Sequence, residues 1–230
     1  MNKKLSKRLS ACLDALSSLS IIADIGTDHA YLPCYAVANG IIDSAIAIDV
    51  IDGPLAQAKA TISDYGLLDS IEIRKGSGLE PLKIGEVEGV NIAGMGGKLI
   101  SQLLLESIQV AHSMKKLVLQ PQSGETTLRR MLFGNGFVIE DEQLIKEDGI
   151  IYTIITVVPG NYEFGLTVND LIFGPVLKNQ PTNKLFQEKW EQEISSIDFA
   201  LSKIPDGNEK RLQFEQKRQL IKDVLAGDIS

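Results

Sequence analysis

Cysteine is scarce in this chain of 230 residues, which holds only Cys12 and Cys34. No CxxC or Cys/His ligand spacing surrounds them, so there is neither a disulfide framework nor a metal-site signature, and both are expected to be reduced and buried. Long apolar runs are missing too. None approaches the roughly 20 residues that a spanning helix needs, and the opening MNKKLSKRLSACLDAL has no signal-like apolar block. The expectation is a cytoplasmic protein with no membrane contact and no metal. Positive charge is in short supply: the formal net charge is −7, which argues against a purely electrostatic hold on nucleic acid. Local clusters remain, with Lys3, Lys4, Lys7 and Arg8 opening the chain and the doublets Lys115–Lys116 and Arg129–Arg130 further on. There is no internal repeat and no low-complexity segment.

Hydrophobic residues make up 44% of the chain, enough for one core and a second small unit. Between residues 20 and 160, SIIADIG, SAIAIDV, SIEIRKG, GVNIAGMG, KKLVLQP, FVIEDEQLI and IIYTIITVVP read as seven strands. The first five are nearly continuous apolar runs, as strands covered on both faces should be. DGPLAQAKATISDYG, GGKLISQLLLESIQVAH and GETTLRRMLFGNG supply crossover helices, with Pro54 suited to a first turn and Gly66 to a stop. The last two strands follow each other through KEDG and are expected to pair antiparallel. The fold class is therefore α/β, a doubly wound, mostly parallel Rossmann-like sheet over residues 1–160. In residues 161–230, Phe186, Trp190, Ile194, Ile197, Leu201 and Ile204 recur at helical spacing, PDGN interrupts, and a second charged helix follows. That pattern predicts an antiparallel, coiled-coil-like helical hairpin with Trp190 in its seam.

In an open parallel sheet the ligand crevice lies at the carboxyl ends of the central strands. The segment ADIGTDHA leaves the first strand there. Gly26 permits a tight turn and close approach of a ligand, but a dinucleotide fingerprint GxGxxG is absent and Asp24, Asp28 and His29 stand around the glycine. Carboxylates there would repel a pyrophosphate. They suit a ligand with a cationic portion, such as the sulfonium and α-ammonium groups of S-adenosyl-L-methionine. Asp49 ends the second strand 23 residues after Gly26, where an acid that accepts from ribose hydroxyls is expected. Ser77 and Gly78 are expected to face the adenine edge. The bland reading of Asp24, Asp28 and Asp49 is turn-forming and helix-capping acids. NIAGMGGKLI lacks the P-loop spacing and reads instead as a wall of the reaction pocket, with Gly94, Gly96 and Gly97 admitting a flat base and Met95 beside it; tight strand-to-helix packing is the alternative.

ADIGTDHAYLP, VNIAGMGG, LVLQPQ and EDGIIYTIITVVPG together resemble the bacterial tRNA (adenine(22)-N1)-methyltransferase family of TrmK type, over residues 1–160 with a compatible helical tail. The resemblance implies an S-adenosyl-L-methionine-dependent enzyme that methylates N1 of an adenine in the D arm of tRNA, at position 22. Carried over by position, Asp24, Gly26, Asp28 and His29 match the family's first motif and Asp49 its ribose-binding acid. Ala93, Gly94 and Met95 match the fourth-strand loop, and Gln120 with Pro121 the turn after the fifth strand. Two positions depart. Ser77 stands where the family pattern has an acid, leaving the adenine amino contact to a backbone carbonyl or water, and Gln122 replaces the more usual Asn.

Methylation at N1 uses an in-plane lone pair, so no strong base is required; alignment, dryness and tolerance of positive charge are. On this reading Asp28, His29, Met95 and Gln120 are the candidates at the reacting groups, Asp28 acting electrostatically. His29 has two readings, a contact to the base or Asp28 and a structural place in the first turn of the next helix. Lys7, Arg8, Arg129 and Arg130 are the candidate phosphate contacts, and the hairpin would extend the tRNA footprint. The oligomeric state stays open, with a monomer the simpler expectation. Three other functions remain at this stage: a nicotinamide-dependent oxidoreductase, a non-catalytic RNA-binding module and a small-molecule methyltransferase.

Overall fold

The computed structural model describes residues 4–205 and 207–227; Lys3 lies outside them. The chain divides into two compact units, residues 1–166 and 167–230.

The first unit contains β1 (Ile21–Ile25), β2 (Ser44–Asp49), β3 (Ile71–Lys75), β4 (Gly89–Met95), β5 (Lys116–Pro121), β6 (Phe137–Glu147) and β7 (Ile150–Pro159). They form one sheet in the order β3-β2-β1-β4-β5-β7-β6. The five strands that read as apolar runs pair in parallel, and β7 lies antiparallel between β5 and β6. Strand order reverses between β1 and β4, which puts the crevice of such a sheet beside the carboxyl ends of these two strands. The β6–β7 ladder slips between Ile139 and Asp141, a bulge that leaves Glu140 outside the pairing.

Helices cover both faces: α1 (Lys7–Leu16), α2 (Tyr31–Ala38), α3 (Asp52–Asp64), α4 (Gly97–Glu106), α5 (Ile108–His112) and α6 (Glu125–Gly134). The run from Gly97 to His112, expected as one helix, breaks at Ser107, whose ψ of 41° is not helical. In α1, Ser6 caps the start by accepting from the Leu9 amide, and Cys12, Leu13 and Leu16 are fully buried against the sheet. Each such leucine contributes roughly 1.5–3 kcal/mol through removal from water. Cys12 and Cys34 are free and buried, and burial pushes both thiols up to about 12.

Residues 160–166 belong with the sheet rather than with the helical unit, so the division falls a little beyond residue 160. The cause is local: the Ile139 amide donates to Tyr162 Oη (2.8 Å), the Gly160 amide donates to Gly136 O (2.9 Å), and the Tyr162 ring meets Phe133.

The second unit begins with a short helix that the sequence pattern did not disclose, α7 (Val168–Phe173), started by a capping box between Thr167 and Asp170. A 3-10 turn follows at Leu177–Asn179, then α8 (Lys184–Leu201) and α9 (Glu209–Leu225) form the hairpin. Phe173, Phe186 and Trp190 cluster with ring centroids 4.6–6.3 Å apart, so Trp190 packs against α7 and along its own helix. Arg211 closes the hairpin by donating to the Leu201 and Ile204 carbonyls, and acids and bases balance along residues 184–225.

Candidate active site

The turn after β1 is shaped by Gly26. Its φ is +70°, a conformation that side chains disfavour, and a Cβ there would lie 2.3 Å from Met95 Cε. The amides of Gly26 and Thr27 both donate to Ile48 O, which ties the turn to β2. Asp24 lies beneath this turn. Thr27 Oγ1 donates to its Oδ2 at 2.6 Å and Asn91 Nδ2 to its Oδ1 at 2.7 Å. Burial raises the Asp24 carboxyl above its ordinary range against the pull of these two bonds, and the Asp49 charge adds to the rise. Asn91 Oδ1 is itself buried without a hydrogen-bond partner among the described residues. Leaving such an oxygen dry costs on the order of 1–3 kcal/mol, which the bond to Asp24 helps to offset.

Beside the turn runs a cavity of about 120 Å³ lined by Ile25, Gly26, Ile48, Asp49, Val50, Gly76, Ser77, Gly78, Met95, Leu99 and Leu103. Val50 and Leu99 are 53% and 45% exposed and present apolar surface at the rim of this cavity. Asp49 Oδ1 accepts from the Ile51 amide, which aims the carboxylate beyond the strand end, and the Gly76 amide donates to Asp49 O, which knits the β3 turn to it. The loop after β3 is stapled by Arg74, which donates to both Glu72 and Glu86 and to Pro81 O. That contact holds the Glu86 carboxyl at about 2. The residues present fit an adenosine: an acid for ribose hydroxyls, apolar walls for a flat ring, and a glycine turn that a Cβ would fill.

Asp28 and His29 stand differently from their expected places. The Asp28 side chain is 82% exposed, 3.3 Å from His29 Nε2. His29 and Ala30 both have positive φ (59° and 54°), and α2 begins only at Tyr31, so His29 precedes the helix rather than occupying its first turn. Its ring stacks on Tyr31 at 5.1 Å. Two adjacent non-glycine residues in this region hold backbone strain of about 1–3 kcal/mol each, a feature that concentrates at functional sites.

At the ends of β4 and β5 the ladder slips between Ala93 and Met95, and Gly94 is the extra residue, with φ +82°. A Cβ on Gly94 would make only ordinary contacts, 3.9 Å to Gln122 Nε2 and 4.0 Å to Arg8 Nη1, so this exposed glycine has room beside it; a Cβ on Gly97 would lie 2.4 Å from Gly124 O, so that one serves helix packing. The two readings of the glycine-rich segment thus divide by position. Gln120, expected among the reacting groups, is fully buried and its amide is committed internally: Oε1 accepts from Arg8 Nη1 (2.6 Å) and from the Gly94 amide (3.1 Å), and Nε2 donates to Pro121 O. It does not reach a substrate.

Of the candidate phosphate contacts, Lys7 and Arg130 are exposed. Arg8 is half-buried and turned inward, its guanidinium 5.4 Å from the centroid of the Tyr152 ring. Arg129 must be corrected: it is 2% exposed and pairs with the buried Glu142 at 2.8 Å, because it shares the inner face of α6 with Leu128 and Leu132. Lys115 and Lys116 pair with Glu88 and Glu140. No group of metal-ligating side chains occurs among the described residues, and no helix among them is long and apolar enough to cross a membrane.

A model of the TrmK family, tRNA (adenine(22)-N(1))-methyltransferase, matches residues 22–226. The chain belongs to this family. The tRNA (adenine(22)-N(1))-methyltransferase of Bacillus subtilis is 34% identical over 232 residues, covering 96% of this chain and 97% of the relative. The Streptococcus pneumoniae Sp1610 structure in complex with S-adenosyl-L-methionine superposes with a TM-score of 0.89 at 36% identity, over 96% of this chain and all of that one. M. capricolum TrmK in complex with S-adenosyl-homocysteine gives 0.88 at 28% identity, over 97% and 99%. The TrmK match spans both units of the chain, sheet and hairpin alike.

The structure brings Gly26, Asp49, Ser77, Gly78 and Met95 to one crevice and sets Ala93, Gly94 and Gln120 at the neighbouring strand ends. Asp24 braces the turn from below. Missed at the sequence level were Thr27 and Asn91, although a lone Asn inside the apolar GVNIAGM demands a buried partner. Leu99, Leu103 and Tyr152 carried no signal of their own.

Proposed function

We infer that the chain methylates N1 of adenine 22 in tRNA with S-adenosyl-L-methionine as donor, and that it works in the cytoplasm. The observation that carries this reading is the crevice shared by Gly26, Asp49, Ser77 and Met95 at the β1/β4 reversal, in a chain matched to TrmK over nearly its whole length.

The donor supplies an electrophilic methyl group on a sulfonium. Asp49 accepts from its ribose hydroxyls, Val50 and Leu99 flank its adenine, and backbone groups at Ser77 and Gly78 meet the adenine edge where the family carries an acid. Gly26 lets the chain turn without filling the crevice. Met95 walls the reaction end, and the open side of Gly94 leaves room for the target base. No residue need remove a proton, because N1 of adenine presents its lone pair directly. The chain's task is to align and to keep water out. Asp28, exposed, and His29, half-buried, stand on a strained turn at the mouth and face the incoming base, with Asp28 easing the positive charge that moves onto it. Lys7 and Arg130 contact phosphates, and the helical unit extends the footprint by shape rather than by net charge. Drawing the base from its stack costs about a few kcal/mol, which these contacts offset.

The test is direct. Unmodified tRNA transcripts incubated with labelled donor should acquire label at adenine 22, mapped as N1-methyladenosine. Label at another nucleotide, or only on small molecules, would overturn the reading.

A further inference from the structure

Arg8, a candidate phosphate contact from the sequence, is turned inward and has no part in the reading above. It sits on α1, yet its guanidinium reaches the ends of β4 and β5, where Nη1 donates to Gln120 Oε1. The same oxygen accepts the Gly94 amide. That amide needs explaining, since the slip between Ala93 and Met95 removes Gly94 from the β4–β5 ladder and orphans its N–H. Gln120 takes the place of the missing strand partner. One residue later the ladder closes again, with the Gln122 amide donating to Met95 O at 2.8 Å. Met95, set by this slip, lies against Gly26 and lines the donor crevice. A cation held on the Tyr152 face and bonded to an amide oxygen polarises that oxygen toward its second donor. Among the described residues no carboxylate pairs with Arg8 to divert it.

We propose that Arg8 is a positioning residue for methyl transfer, acting through Gln120 to fix the Gly94 bulge and, with it, the place of Met95 between donor and target base. This role rests on the methyltransferase reading above. It predicts that Arg8 governs the chemical step rather than affinity. Arg8→Ala and Gln120→Leu should each lower the single-turnover methylation rate about 10- to 100-fold, the range that a small misplacement costs. Donor affinity by calorimetry and tRNA affinity should both stay within about threefold of wild type on the same argument. Gln120→Glu keeps an acceptor for both Arg8 and Gly94 but sets its second oxygen against Pro121 O, so it should recover more of the rate than Gln120→Leu while staying below wild type. Amide exchange at Gly94 should accelerate in Arg8→Ala and Gln120→Leu and stay slow in Gln120→Glu.

Several outcomes would overturn the role. An Arg8→Ala enzyme with full rate at saturating tRNA, weaker binding and a flatter salt dependence would make Arg8 a phosphate contact. A general loss of melting temperature with Gln120→Glu no better than Gln120→Leu would make the pair merely structural. A slowed rate with Gly94 exchange unchanged would show that the effect does not run through the bulge. A wild-type chain that left every transcript unmethylated would instead overturn the function itself, a result the variants cannot mimic.

Discussion

The two halves of the site are built by different means. On the β2–β3 side the crevice is made from backbone shape: the Gly26 turn, the strand end at Asp49 and the loop carrying Ser77 and Gly78, with apolar walls that tolerate whatever flat ring lies between them. On the β4–β5 side the shape depends on side-chain bridges between distant elements, from Arg8 to Gln120 and from Gln120 to Gly94. The first half can be broken by adding atoms. The second can be broken by taking them away.

The largest expected effect follows from that contrast. Gly26→Ala puts a Cβ where the flexible tip of Met95 now lies and strains a turn of positive φ, so donor binding should fall by more than about 100-fold, with a stability loss of about 1–3 kcal/mol beside it. Calorimetry and thermal melts measure both; binding within a few-fold of wild type would end the account of the crevice as glycine-shaped. Next is Asp49→Ala, which removes the carboxylate but leaves the strand. The donor dissociation constant should rise about 10- to 100-fold, the worth of one or two charge-assisted hydrogen bonds, and an unchanged titration would remove Asp49 from the site. Smaller again is Arg74→Ala, which frees the loop behind Ser77 and should weaken the donor about two- to fivefold, as expected for a half-exposed ion-pair network. In the same network the depressed Glu86 carboxyl contributes stability above the ordinary glutamate range, and that contribution should fade as pH falls toward about 2.

Asp24 sharpens the comparison through pH. Because burial raises its carboxyl, between the ordinary aspartate range and the raised folded value the folded chain keeps a proton that the unfolded chain releases. Stability should therefore decline as pH climbs out of the ordinary aspartate range toward the folded value. Asp24→Asn, which cannot ionise, should flatten that slope in melts followed across pH. A steeper slope in the variant would mean that Asp24 is charged and satisfied as it stands.

The same contrast explains what could be read from the chain alone. Strands β1 to β5 were legible because parallel strands buried on both faces leave unbroken apolar runs, and the order of turn, acid and glycine around Gly26 and Asp49 is a local signal. The paired Asp24 and Asn91, 67 residues apart, and Arg8 and Gln120, 112 apart, leave no such trace. Arg129 misled for a related reason. A basic doublet reads as surface, yet helical periodicity puts Arg129 on the face of Leu128 and Leu132, where Glu142 on β6 receives it. Helix α7 escaped because six residues are too few to show a period. Of the two readings of His29, the place in the first turn of the next helix fails because nothing local announces two consecutive left-handed residues that delay its start.

The sheet's far margin carries a consequence of its own. β6 is eleven residues long and ends the sheet, the sort of margin on which a strand from another molecule can pair, and Tyr162 covers part of it by accepting from the Ile139 amide. The bulge at Glu140 bends that margin, and Asp141, Lys146 and Glu147 set charge along it. A stray chain would find its amides out of step with the margin at the Glu140 bulge and would meet charge along it.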